Sequence, residues 1–226
     1  MDEHDDGKRY SRAGRKGGGY TRGSQRRSSF APRGGPDPRQ LLWGIIALNV
    51  AVFVLWNTTL QSGVGAIIRA NLTVQSALVL SHPWTLLTYA ISHYDTTHLL
   101  FNMFALFVFG LPVMQRYGWQ ELLYLYVGGA AIGGLAHVLS TPAPALGASA
   151  AVMAVSVVYG LTYPNRTLLL GFFIPVPAWL AVVLFIGMDL MGMVGPGDGI
   201  AHAAHLGGAA FGAALWATRN PRAWQR

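Results

Sequence analysis

The sequence predicts an all-α, polytopic membrane protein built as a bundle of six spanning helices, and three observations predict it. Hydrophobic residues make up 52% of the 226 and charged residues only 11%, whereas soluble domains carry about 25% charged residues. Six apolar stretches, separated by turn signals, approach the roughly 20 residues that a membrane helix needs. Basic residues also fall almost wholly on one side of the bilayer when six spans alternate.

The chain divides into three parts. Residues 1–40 hold ten of the sixteen Lys and Arg and read KGGGYTRGSQRRSSFAPRGG in their middle. With so little apolar surface, this part is expected to be a disordered basic tail. It offers no folded platform for base stacking, so no nucleic-acid partner is expected, and anionic lipid heads are the cheaper contact. No small-residue cleavage site follows a short apolar region, so the tail is not read as a signal peptide. Residues 41–218 form the membrane domain, and 219–226 a short basic tail.

The spans are expected near 41–57, 96–114, 119–139, 148–163, 176–194 and 200–218. His82-Pro83 and Asp95 precede the second, Tyr117-Gly118 follows it, and Thr141-Pro142-Ala143-Pro144 precedes the fourth. Tyr163-Pro164-Asn165 follows the fourth, and Gly195-Pro196-Gly197 precedes the sixth. With the first tail inside, fifteen of sixteen basic residues lie inside and only Arg69 outside. Such enrichment marks the cytoplasmic face, so a multi-pass cell-membrane protein with both termini cytoplasmic is expected. The connection 58–95 is long and carries apolar pieces too short to cross, which are expected at the membrane interface.

Glycines indicate how the helices meet. Gly129 and Gly133 in span three, and Gly208 and Gly212 in span six, are spaced as GxxxG. Small residues on one stripe allow close backbone approach, and packing is what joins helices in lipid. In span three they are read as packing alone.

Spans two, four and six all begin on the outer side, and their first turns carry the polar residues. His98 and Asn102 lie one turn apart on one face of span two. Ser149 opens span four, and His202 and His205 share a face of span six. Each alone reads blandly: a serine beside Gly and Ala is ordinarily packing. Several polar side chains at one depth in a membrane, however, mark a functional site. At a helix start, free N–H groups and the positive dipole end favour an oxyanion. His205 is placed to accept the Ser149 proton, and His98 and Asn102 to donate to the same oxyanion. Gly147, Gly207 and Gly208 would let spans four and six approach.

No acid completes a triad in this reading. Asp95 reads as an N-cap, and Asp189, near the outer end of span five, as interface-facing or water-solvated. A Ser–His dyad is the simpler expectation. His82, His93 and His137 receive structural readings only. No cofactor or metal is expected: HExxH and carboxylates at ligand spacing are both lacking, which sets aside a transporter or a histidine-ligated metal protein. With no cysteines, thiolate chemistry is excluded.

At PWTLLTYAISHYDTTHLLFNM, LGASAAVMA and AHAAHLGGAAFG, in that order, the sequence resembles the rhomboid intramembrane serine proteases over about residues 40–218. Members carry HxxxN in the second span, GxSG opening the fourth, and an AHxGG-like histidine in the sixth. The resemblance implies a six-helix rhomboid-like bundle with Ser149 as nucleophile and His205 as general base. His98 and Asn102 resemble the oxyanion-stabilising pair, and His202 is a neighbour. It implies a serine endopeptidase acting on membrane-protein substrates with a helix-destabilised transmembrane segment within the lipid bilayer. Lateral entry is expected near span five, past Trp179 and Phe185, with Pro175 and Pro177 at its start. Three positions depart from the family pattern. Ala150 replaces the second glycine of GxSG and is expected to tighten the contact of spans four and six. Met153 stands where an aromatic ring often lies, and Thr85 where arginine commonly follows Trp84. Ala150 feeds the alternative of a weak or inactive rhomboid-like protein that binds membrane helices.

Overall fold

The structure is a computed structural model that describes residues 38–59, 63–171, 173–195 and 198–220. Of the expected tails 1–40 and 219–226, residues 1–37 and 221–226 lie outside the described residues, while 38–40 and Arg219 belong to helices. Long helices run Pro38–Thr59 (α1), Thr96–Tyr117 (α4), Trp119–Ser140 (α5), Ser149–Thr162 (α6), Ala178–Val194 (α7) and His202–Arg219 (α8). These are the six expected spans. Among the described residues, α1, α4 and α5 are long and apolar enough to cross a membrane, while α6 and α7 are apolar but shorter. In α8, two histidines and three glycines dilute 18 residues of otherwise apolar sequence.

The connection between the first two expected spans is folded over its described residues. It contains α2 (Gly63–Leu72), α3 (Thr85–Thr88) and a 3-10 turn at Tyr89–Ile91. Hydrogen bonds pin it to the bundle. The Tyr89 hydroxyl donates to Ala130 O at 2.9 Å and the Tyr126 hydroxyl to Ala90 O at 2.7 Å. Asn49 of α1 in turn donates to the Tyr126 oxygen at 3.1 Å. Val74 and Ala145 exchange backbone bonds of 2.9 and 2.8 Å, tying this connection to the segment that leads into α6.

Helix ends follow local chemistry. Asp95 is the N-cap of α4, its carboxylate accepting from His98 N at 2.8 Å as expected. Gly118 joins α4 to α5 at φ 98°, a left-handed conformation that glycine adopts without a Cβ penalty. Between α6 and α7 lies a short hairpin absent from the helical reading: β1 (Thr167–Leu170) pairs antiparallel with β2 (Ile174–Pro177). Residues 176 and 177, expected to open span five, belong to this strand. Pro177 is extended at φ −67°, ψ 147°, so the helix begins at Ala178.

α6 is the hub, with α4, α5, α7 and α8 around it. Every residue from Ala150 to Gly160 except Met153 is buried. Fourteen residues rise about 21 Å, against a hydrocarbon core of about 30 Å. A helix so short cannot reach both surfaces.

Candidate active site

The segment before α6 brings Ser149 to its position. Gly147 has φ 132°, and its N–H donates to Tyr89 O at 3.0 Å. A methyl on Gly147 would lie 2.6 Å from His98 Cε1 and 3.7 Å from Ser149 Oγ. Both the backbone conformation and the His98 ring therefore require glycine there. His98 is thus beside the turn that presents Ser149.

α8 supplies the partner. Gly208 faces the backbone of Ala150, where a methyl would come within 2.0 Å of Ala150 O, and Gly212 similarly faces Ala154 O. At this approach, Ser149 Oγ and His205 Nε2 stand 2.7 Å apart, within hydrogen-bond reach. Gly207 behaves otherwise than expected. It faces Ile132, Gly133 and Ala136, so it packs α8 on α5 rather than on α6. Gly129 and Gly133 pack α5 against the alanines of α6, as read from the sequence.

Ala150 also departs from expectation. Its methyl meets the α5 residue Gly133, where an added Cβ would lie only 2.5 Å from it. The side that faces α8 is its backbone. The extra methyl is therefore taken up by a glycine on α5 and does not enter the α6–α8 contact.

Asp189 is the main correction. It is neither interface-facing nor water-solvated: it is 5% exposed. Its Oδ1 accepts from His205 Nδ1 and from His202 Nδ1, each at 2.8 Å. Ser149, His205 and Asp189 thus form a continuous hydrogen-bonded line, and the expected dyad has an acid behind it. The signal was present in the sequence, since an ionisable residue within an apolar span needs a partner. What the sequence could not supply was the rotation of α7, on which Asp189 is read equally well facing inwards or outwards.

His202 is more than a neighbour. Its Nε2 stands 3.2 Å from both carboxylate oxygens of Asp198, in the loop before α8. The Ile200 N–H at 2.9 Å, with His202 beside it, holds the Asp198 carboxyl below the usual carboxylate range.

A cavity of about 260 Å³ with mostly apolar walls opens on the line, bordered by Phe101, Asn102, Ser149, Met153, Phe185 and His205. Asn102 donates one amide hydrogen to His98 O at 2.8 Å, which leaves its second hydrogen for a group in the cavity. Met153 occupies the wall beside His205, and Phe185 brings α7 to the same space.

His93 received only a structural reading, yet it is fully buried, with its ring 5.0 Å from that of His98. Its Nε2 accepts from the Ala148 N–H at 3.4 Å, next to Ser149. Burial pushes its imidazole down to about 3, and the adjacent His98 adds to this. It therefore stays neutral, as an acceptor must. His137 is structural as read, with Nε2 2.8 Å from Ala143 O. Thr85 is buried and donates to His82 O at 2.6 Å, within the first connection and outside the cavity wall.

Comparison with known proteins bears on the family of the chain. The rhomboid domain model matches residues 80–221. The chain is 34% identical over 218 residues to RHOMBOID-like protein 12, mitochondrial, of Arabidopsis thaliana, covering 85% of this chain and 64% of that one. It is 31% identical over 202 residues to the human presenilin-associated rhomboid-like protein, mitochondrial, covering 82% and 52%. Against rhomboid protein 1, mitochondrial, of Saccharomyces cerevisiae it is 30% identical over 184 residues, covering 77% and 52%. The chain thus spans between about half and two-thirds of the length of these relatives. Their names overturn the cell-membrane expectation and, with it, the cytoplasmic assignment of the termini. Enrichment of basic residues on one side orients a chain but does not name its membrane, and the relatives carry mitochondrial names. By family model, by relatives and by a helical bundle around a short central helix, the chain belongs to the rhomboid family of intramembrane-protease-type membrane proteins.

Proposed function

We propose that the protein is a serine endopeptidase that cuts a membrane-embedded or juxtamembrane peptide bond of another membrane protein, in the mitochondrial setting to which its relatives' names point. The observation that carries this reading is the 2.7 Å contact of Ser149 Oγ with His205 Nε2 at the wall of a cavity. With Nδ1–H donating to Asp189, the His205 Nε2 lone pair faces the serine hydroxyl. As Oγ attacks the carbonyl carbon, its proton passes to Nε2 and the carbonyl π electrons move onto oxygen. The resulting imidazolium lies against the Asp189 carboxylate, which orients the ring and offsets its charge.

The oxyanion meets the start of α6, whose first N–H groups lack intrahelical acceptors. His98, beside Gly147, and the free Asn102 amide hydrogen are the side-chain donors within the same region. Collapse of the intermediate breaks the C–N bond, and Nε2 returns its proton to the departing amine. Water, activated by the same nitrogen, then hydrolyses the acyl-serine. A helical substrate hides its carbonyls in its own hydrogen bonds, so a segment with weakened helix near the outer ends of α4, α6 and α8 is the expected substrate.

The alternative of a non-catalytic helix-binding protein drew on Ala150. That methyl lies against Gly133, which gives no ground for a damaged site. The test is cleavage of a transmembrane reporter by purified protein beside Ser149→Ala. Cleavage lost in the variant supports the reading, and equal cleavage by both removes Ser149 from it. Labelling by a fluorophosphonate probe should disappear with the same substitution.

A further inference from the structure

We propose that Asp189, His202 and His205 form an inhibitory site for a zinc-type divalent cation, with Asp198 as its outer support. The inhibition, though not the binding, rests on the protease reading above.

Carboxylate partners at ligand spacing, which the sequence did not reveal, are supplied by the fold. One donor atom from each of the three residues lies within 4.8 Å of the other two. Asp189 is buried, and both histidines are partly buried on one face of α8. Zinc accepts imidazole nitrogen and carboxylate oxygen at about 2.0–2.2 Å in tetrahedral array, which separates donor atoms by roughly 3.3–3.5 Å. The present N···O separations of 2.8 Å need to open by well under an ångström. Two imidazoles favour a borderline transition cation over magnesium or calcium, which prefer oxygen.

Proton bookkeeping explains how the cation enters. Both nitrogens of His202 face carboxylates, Nδ1 towards Asp189 and Nε2 towards Asp198. A cation entering between the residues takes the Nδ1 position. Nε2–H continues to donate to Asp198, which fixes the ring with Nδ1 on the metal. A carboxylate behind a metal-bound histidine is the usual supporting arrangement.

The same step disables the base. In the metal-free site His205 carries its proton on Nδ1 and accepts from Ser149 through Nε2. A metal on Nδ1 leaves neutral His205 with its proton on Nε2. That nitrogen can then only donate to Ser149 Oγ, and the hydroxyl loses its acceptor. The net change is His205 switched to the other tautomer, with the cation in place of any proton on His202 Nδ1.

The test uses the purified full chain, free of any polyhistidine tag, stripped with chelator and dialysed against zinc chloride. The wild type and Ser149→Ala should each retain one zinc per chain more than His202→Ala or Asp189→Ala. Asp198→Asn should weaken retention by about 10–100-fold. Thermal unfolding of each variant establishes that a folded protein is measured. On a transmembrane reporter, zinc at concentrations that fill the site should suppress the wild-type rate, and chelator should restore it. Magnesium and calcium at equal concentration should have no effect. Each variant is judged against its own zinc-free rate, and His202→Ala should lose the suppression. Zinc retained by His202→Ala as by the wild type overturns the site, and an unchanged wild-type rate with the site filled overturns the inhibition. Because Ser149→Ala binds without turning over, the metal site stands or falls separately from the protease reading.

Discussion

Replacing Gly208 with alanine tests whether helix approach sets the Ser149–His205 contact on which the proposed activity rests. A methyl there would lie 2.0 Å from Ala150 O, 2.8 Å from its carbonyl carbon and 3.1 Å from its Cα. All three are backbone atoms, so no rotamer change relieves the clash. Ordinary contact begins near 3.4 Å, so α6 and α8 must part by about 1.4 Å. Gly208 is one turn beyond His205, and Ala150 is next to Ser149, so the separation falls on the Ser149–His205 pair. A contact of 2.7 Å becomes one of about 4 Å, outside hydrogen-bond range. Misplacement by about 1 Å costs about 100-fold in rate, and overpacking about 1–3 kcal/mol in stability. Single-turnover cleavage at saturating enzyme reads the first, and thermal unfolding in the same detergent the second. Gly44, with nothing within 4 Å of an added Cβ, is the control; alanine there should be neutral or stabilise by up to about 1 kcal/mol. A Gly208→Ala protein whose rate stays within about threefold of wild type would refute the reasoning.

Ala150→Gly should change the rate by less than about threefold, because the methyl it removes packs on Gly133 and not on α8; a large gain in turnover would contradict that placement. Asp189→Ala should lower kcat by at least about tenfold while leaving KM near its wild-type value, and an effect on KM alone would argue against an orienting role. For His93, burial lowers the imidazole from 6.5 to about 3, so the unfolded chain takes up the proton first as pH falls. Stability from this group is whole above about 6.5 and is lost progressively towards 3, the loss being about 2 kcal/mol at pH 5. Unfolding midpoints at pH 7 and 5 should therefore converge in His93→Gln relative to wild type, and identical acid shifts in both proteins would refute it.

The helices were legible because apolar length and breaker residues encode them directly. All six spans were found to within a few residues, and Asp95 was readable as a cap because an acid before a helix has few other uses. The hairpin was not legible: Thr-Leu-Leu-Leu and Ile-Pro-Val-Pro are each four residues, too short for alternation to register. The juxtaposition of Ser149 and His205 followed from counting spans, since an even number of crossings returns a helix start to the same face. Rotational phase was another matter. Whether Gly207 meets α5 or α6, where the Ala150 methyl points, and which way Asp189 faces all depend on angles about a helix axis. A uniformly apolar helix does not declare those angles: α7 carries apolar residues on every side, and only Asp189 distinguishes one face from another.

That single acid has a consequence for how α7 is held. Beyond its first turn, where Ala178 and Trp179 donate to Arg166 O and Pro164 O, most of α7 is apolar, and apolar packing in lipid provides little preference for one lateral position over another. The two bonds to Asp189 Oδ1 are different in kind. They join α7 to α8 near the outer end, beside the cavity that Phe185 also borders. Moving α7 aside would leave a buried carboxylate short of its donors and would release the ring of His205. Unpairing a buried charge costs several kcal/mol. The turn that carries Asp189 is therefore costly to displace from α8. Those two bonds thus fix both the lateral position of α7 and, through His205, the orientation of the ring that faces Ser149.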